Sequence, residues 1–246
     1  MHQEQQKYQA LIMKVDGTFE ILETKYDIFH GRINPVSKLA IRRHRILRPL
    51  KETINETIYN SILASGSRPG YLYGLPKVHK NRTPLRPIVS SINTFNYNLA
   101  KFLVKIIQPL TINEYTTANT LDFVEEIKQL NIEDSTVMAS FDVESLFTNV
   151  PLSETTQIIT DTISDESISQ FGLNKKQFNS FLNVATRDSV FTFDNKLYTQ
   201  IDGVAMGSPL GPSYANAFLC HHECRLPCKY APVPPREFEV RNFLRD

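Results

Sequence analysis

No apolar run in this chain approaches the ~20 residues that a membrane-spanning helix needs, so nothing in it reads as a bilayer span. The first stretch, MHQEQQKYQALIMKVDG, has no basic segment followed by an apolar one, which argues against a secretory leader. Cysteine is scarce: Cys220, Cys224 and Cys228 are the only three, an odd and crowded set that cannot build a disulfide framework. These absences predict an intracellular protein in a reducing compartment. The C-x3-C-x3-C spacing encloses His221 and His222, yet structural zinc sites pair C-x2-C or C-x4-C with a distant second half, so ordinary thiols are the expectation.

Acids are missing from Thr57 to Asn113, where Arg68, Lys77, Lys80, Arg82, Arg86, Lys101 and Lys105 all occur. The next segment reverses the sign, with Glu114, Asp122, Glu125, Glu126, Glu133, Asp134, Asp142 and Glu144 before Glu154, Asp161, Asp165 and Glu166, against Lys128 alone. A net charge of +1 therefore hides a basic half followed by an acidic half. Such a division suits polyanion binding beside a site that handles cations, and it also suits ordinary solvated faces.

What is present is enough for a core: 246 residues, 41% of them hydrophobic, for one large domain or two smaller ones. The spacing of KLAIRRHRILRPLK, Lys38 to Lys51, predicts a basic amphipathic helix interrupted near Pro49. It could lie on a nucleic-acid backbone or simply expose a charged face. Helices are also predicted at Tyr97–Leu110 and Ala118–Leu130. The Pro- and Gly-rich run YLYGLPKVHKNRTPLRPIVSS between the first two reads as strand, loop and strand.

From Thr136 the chain turns short, apolar and β-prone in TVMASFDV. Ser153 is the expected cap of a helix reaching Ile163, and Asn174 starts another reaching Val184. VFTF and KLYTQ around Asp194 and Asn195 read as a hairpin with a two-residue turn. In GVAMGSPLGPSYANAFLCHHE, Ser208 is the expected N-cap and Pro209 the first residue of a helix toward Glu223.

A carboxylate at the end of a core strand is well placed for a divalent metal, because a sheet fixes its oxygens rigidly; Asp142 takes that position. Alone it could as well be a turn former or a cap. Gly203 and Gly207 would let backbone come close to a flat ligand. Phe147, read alone, is a core aromatic.

Three long segments in order make a pattern: YGLPKVHKNRTPLRPIVSS, SFDVESLFTN and YTQIDGVAMGSPLGPSYANAF. Together they resemble the ordered motifs of reverse transcriptases, most closely those of Penelope-like retroelements, over about Tyr71 to Glu223. The resemblance implies an α/β (α+β) right-hand polymerase, with an N-terminal extension and fingers over 1–130 and a partial palm over 131–246. The palm would be a small antiparallel sheet packed on helices, incomplete at its C-terminal end.

The resemblance also implies RNA-directed DNA polymerase activity, with an RNA template, a DNA primer and deoxynucleoside triphosphates as partners, and an intracellular setting that includes the nucleus. Asp142 and the backbone carbonyl of Val143 would bind Mg²⁺. Arg86 and Lys77, or Lys80 in place of Lys77, would contact the incoming triphosphate. Phe147 would exclude a 2′-hydroxyl and Gln200 would match the family's Y-x-Q. Gly207, Ser208 and Pro209 would position the template and the incoming base. Glu144 would point away from the metals, and Gly211 stands where serine is common.

One family element is missing. No Y-x-D-D tetrapeptide occurs, and the chain runs instead through CRLPCKYAPVPPREFEVRNFLRD; neither Asp202 nor Asp246 suits as a substitute. A single carboxylate holds a Mg²⁺ pair poorly. The sequence therefore reads as a truncated or decayed fragment with little activity alone, and a noncatalytic nucleic-acid-binding remnant is the alternative.

Overall fold

The computed structural model describes residues 19–21, 35–64, 66, 68–78, 85–117, 119–129, 143, 145–194 and 196–224. Strand β1 (Phe19–Ile21) comes first, then helix α1 (Pro35–Leu47), which passes into a 3₁₀ turn at Arg48–Glu52 because Pro49 cannot donate to a continuing ladder. Helix α2 (Glu56–Ile62) is capped by Asn55, whose side-chain oxygen accepts the Thr57 amide at 2.8 Å. Strands β2 (Gly70–Pro76) and β3 (Leu85–Ser90) follow, then α3 (Tyr97–Ile107) with a 3₁₀ turn at Gln108–Thr111, and α4 (Thr120–Gln129).

The second half holds α5 (Leu146–Asn149), α6 (Leu152–Thr162), α7 (Asp165–Ser169) and α8 (Lys175–Arg187). Strands β4 (Val190–Phe193) and β5 (Lys196–Gln200) form the expected hairpin around Asp194, and α9 (Leu210–Glu223) ends the described chain. Asn174 and Gln177 close α8 with a reciprocal capping box, so that start is where the sequence placed it.

The fold class is α+β, a five-stranded sheet in the order β1-β5-β4-β2-β3 beside a helical layer. The sheet is mixed rather than antiparallel. Its pairs β1–β5, β4–β5 and β2–β3 are antiparallel, but Gly70 and Tyr71 of β2 run parallel to Phe191 and Thr192 of β4. The pairing joins two hairpins far apart in sequence, so no local pattern could announce its direction. The expected strand at Thr136–Val143 lies outside the described residues except for Val143.

Two expected caps are corrected. Ser153 sits inside α6, whose N-cap position is Pro151, and its hydroxyl accepts from Arg187 Nη2 at 2.6 Å. Pro209 rather than Ser208 is the N-cap residue of α9, although Ser208 Oγ still accepts the Leu210 amide at 3.4 Å.

The larger core joins Leu47, Leu50 and Ile62 to Leu99, Leu103 and Ile107, and these to Phe178, Phe181 and Tyr214, so it draws on both sides of residue 130. Tyr214 is fully buried and shares a 2.8 Å hydrogen bond with Thr156 Oγ1; burial pushes its phenol well above the usual range. Arg43 is buried too, donates to the Ile62 carbonyl, and is lowered to about 10 by desolvation. A smaller core covers one face of the sheet with Leu72, Val89, Phe191, Phe193 and Tyr198.

Helix α1 is fastened to the end of α8 by Arg42 Nη1, 2.9 Å from Asp188 Oδ1. Asp188 is buried, its Oδ2 has no hydrogen-bond partner among the described residues, and desolvation raises its pKa against the opposing pull of Arg42. Removing Arg42 leaves a desolvated carboxylate alone. Because the arginine is half exposed, Arg42→Ala is expected to cost about 1–2 kcal/mol at neutral pH, less than a fully buried pair would.

The pH dependence has a definite sign. A carboxyl whose folded pKa is raised holds its proton better folded than unfolded, so its contribution is most favourable below the unfolded pKa and is lost as pH rises through the folded one. The Arg42→Ala penalty should therefore shrink on acidification. Urea titrations of both proteins at neutral and acid pH measure it, and a penalty constant with pH would show that Asp188 is not the group responsible.

Among the described residues no helix is long and apolar enough to cross a membrane.

Candidate nucleic-acid and nucleotide site

The site is built on the β2–β3 hairpin. Side chains alternate across a strand, and the register pairs Tyr71 with Ser90, Tyr73 with Ile88 and Leu75 with Arg86, so these six share one face. The opposite face carries Leu72 and Val89 into the sheet core. The first face is open: Tyr71 is 61% exposed, Tyr73 41% and Leu75 49%, and Arg86 is exposed among them. None of these six residues is an acid. Lys77, half-buried, follows immediately after β2, and no described ion pair engages either Lys77 or Arg86. Lys80 lies outside the described residues.

The glycine turn lies along the outer edge of β3. Val89 donates its amide to the Met206 carbonyl at 2.7 Å, and Ser91 Oγ donates to the Gly207 carbonyl at 3.1 Å. Gly207 has φ +114°, and a Cβ there would lie 2.6 Å from the Val89 carbonyl oxygen and 3.3 Å from Ile88 Cγ2. Only glycine fits both demands.

The same turn meets the α5 segment on its other side. Val204 donates to the Phe147 carbonyl at 2.7 Å. Gly203, at φ +77°, would place a Cβ 2.6 Å from the Thr148 carbonyl oxygen and 2.8 Å from that of Phe147. The close approach that these glycines allow within the fold is to the chain's own carbonyls in β3 and α5.

Phe147 is half-buried, with its ring 3.7 Å from the Cβ position of Gly211 in the first turn of α9. Ser145, two residues earlier, takes a left-handed conformation at φ 53°. A non-glycine residue there carries strain, and nothing in the sequence marked it. Gln200 is buried and donates Nε2 to the Asp202 carbonyl at 2.9 Å, so its side chain supports the turn. Val143 is exposed; Asp142, Glu144 and Asp246 lie outside the described residues, as does Cys228.

Backbone bonds therefore join β3 to the glycine turn at Val89–Met206 and that turn to α5 at Val204–Phe147, though the three segments are far apart in sequence. A buried polar chain missed at the sequence level holds the rear. Thr94 Oγ1 donates to the Ser91 carbonyl and lies 2.7 Å from Asn96 Oδ1, while Asn96 Nδ2 donates to the Ala185 carbonyl at 3.3 Å. It ties the end of β3 to α8. Among the described residues no group of three His, Cys, Asp or Glu side chains is arranged to hold a metal ion.

No protein-family model matches this chain, and no curated protein matches it either.

Proposed function

We propose that this chain is the fingers and part of the palm of an RNA-directed DNA polymerase of the Penelope-like kind, with an RNA template, a DNA primer and deoxynucleoside triphosphates as its ligands. The observation that supports this most is the direct backbone contact among three separated segments, since Val89 meets Met206 and Val204 meets Phe147. Likeness of motifs in sequence does not by itself require them to touch.

The proposed roles follow from chemistry. Arg86 offers a planar fork that can donate two parallel hydrogen bonds to phosphate oxygens, and Lys77 adds a point charge beside it. Tyr71, Tyr73 and Leu75 supply an exposed, largely apolar surface on the same face, suited to sugars and bases. Phe147 would press against the sugar, and Gly207, Ser208 and Pro209 would seat the template and the incoming base, with Gln200 behind them.

Asp142, with the Val143 carbonyl, would be the chain's contribution to a Mg²⁺ site. The donor set does not fit a resident metal pair: only this one family carboxylate is present in the sequence and no described cluster adds to it. No step is therefore derived through a metal; the residues named bind and orient. That same shortage favours a second reading, a nucleic-acid-binding remnant without chemistry.

Binding to an RNA–DNA hybrid separates both readings from none. Affinity is expected to fall steeply with salt, and Arg86→Ala or Lys77→Ala should each reduce the log–log slope by about one unit, whatever the template sequence. Binding that ignores salt and both substitutions would remove the nucleic-acid interpretation.

A further inference from the structure

Helix α6 has no cap from its own flank. Its N-cap position is Pro151, and Ser153 is engaged with Arg187. The amide of Leu152, the first of the helix, is donated instead to Asp202 Oδ1 at 2.9 Å, across a separation of 50 residues. The same oxygen accepts the Gly203 amide at 2.9 Å, while the Asp202 carbonyl accepts Gln200 Nε2 at 2.9 Å. One residue later Val204 donates to the Phe147 carbonyl. Leu152, Gly203 and Val204 are all buried, so their amides need acceptors from the protein.

We propose that Asp202 is a positioning residue that clamps the 147–152 segment to the 202–204 turn and so fixes where the Phe147 ring stands against Gly211. A carboxylate oxygen can accept two converging N–H groups, and its charge suits the positive end of a helix. A solvated turn aspartate would need only its own loop. Here one oxygen serves two segments, and the Phe147–Val204 bond lies beside it as the part of the junction that carries the aromatic ring. The clamp is independent of function; that it sets a wall of a nucleotide site rests on the polymerase reading above.

The test uses the 246-residue chain with Asp202→Ala and Asp202→Asn. Amide hydrogen exchange at Leu152, Gly203 and Val204 is expected to speed up roughly tenfold or more in the alanine variant, with Phe181 and Leu182 of α8 unchanged. Asparagine keeps an acceptor oxygen and should restore protection. The nuclear Overhauser contact between the Phe147 ring and the Gly211 α-protons should vanish with alanine and return with asparagine.

Unchanged exchange at Val204 in Asp202→Ala, or a uniform loss of protection that includes α8, would overturn the clamp, as would an asparagine variant that behaves like alanine. Titration with dATP and ATP tests the other half. If the parent chain favours dATP, Asp202→Ala should lessen the preference; if the parent binds neither, the nucleotide reading fails while the exchange data still decide the clamp.

Discussion

Replacing Gly203 by valine is expected to lower the unfolding free energy by about 2–5 kcal/mol, a large share of what a single domain has to lose. Two effects combine. The backbone there has φ +77°, a region where a β-branched residue is a genuine outlier. A Cβ would also stand 2.6 Å from the Thr148 carbonyl oxygen and 2.8 Å from that of Phe147, and both are backbone atoms that cannot swing aside. Part of the loss should appear as a broken Val204–Phe147 bond, because separating the segments is the cheapest relief. Urea denaturation measures it as a lower midpoint at constant slope. Gly211→Ser is the comparison: its Cβ would crowd the Ala205 carbonyl, at 2.9 Å, and touch the Phe147 ring at an ordinary 3.7 Å, with no positive φ, so its penalty should be smaller. Equal midpoints for parent and Gly203→Val would mean that the turn does not pack against α5.

The elements that were legible in the sequence are those whose signals are local. Pro49 ended α1 because proline removes an amide wherever it sits, and Asn174 announced the start of α8, to which the fold adds the reciprocal bond with Gln177. The β4–β5 hairpin was readable because its turn falls between two β-prone runs, and Asp194 takes the positive φ that such a turn asks for. Ser153 misled for the opposite reason. It is a good cap in isolation, but tertiary partners decided the outcome: Arg187 claims its hydroxyl and Asp202 takes over the helix start, whereas Ser208 misses the cap of α9 by one residue and still accepts the Leu210 amide.

At the site, residue types were legible and their joining was not. Arg86, Phe147 and Gly207 stood out as chemistry within motifs, yet the parallel β2–β4 pairing and the bond from Val89 to Met206 link positions that no periodicity connects. The glycines illustrate the limit best. Their small size was visible, but only the fold reveals that the space they leave is filled by neighbouring carbonyls. In the sequence Asp202 reads only as a spare acid; its value lies in accepting two amides from different segments, which a sequence cannot display.

The largest effect expected on activity concerns Asp142 and Phe147 together. The 246-residue chain is expected not to extend a primer, since the sequence offers Asp142 without the partner carboxylates of a Y-x-D-D segment. Joined to a continuation that encodes that segment and a thumb, it should extend a DNA primer on RNA. In the joined protein Asp142→Asn should reduce extension by roughly 10³-fold or more, the scale on which loss of an essential charged group at a reaction centre is felt. Phe147→Ala should act differently. The ring stands 3.7 Å from the Gly211 Cβ position and is held by the backbone bond to Val204, so removing it opens space at one wall without disturbing Arg86 on the far strand. Deoxynucleotide incorporation should persist, while discrimination against ribonucleotides falls on the order of 10–200-fold, the range over which a pocket separates ligands by size. Paired single-nucleotide incorporation assays with dNTP and NTP read both effects. Undiminished discrimination in Phe147→Ala would assign the sugar contact to another residue, and extension by the unjoined chain would mean that carboxylates other than those named complete the site.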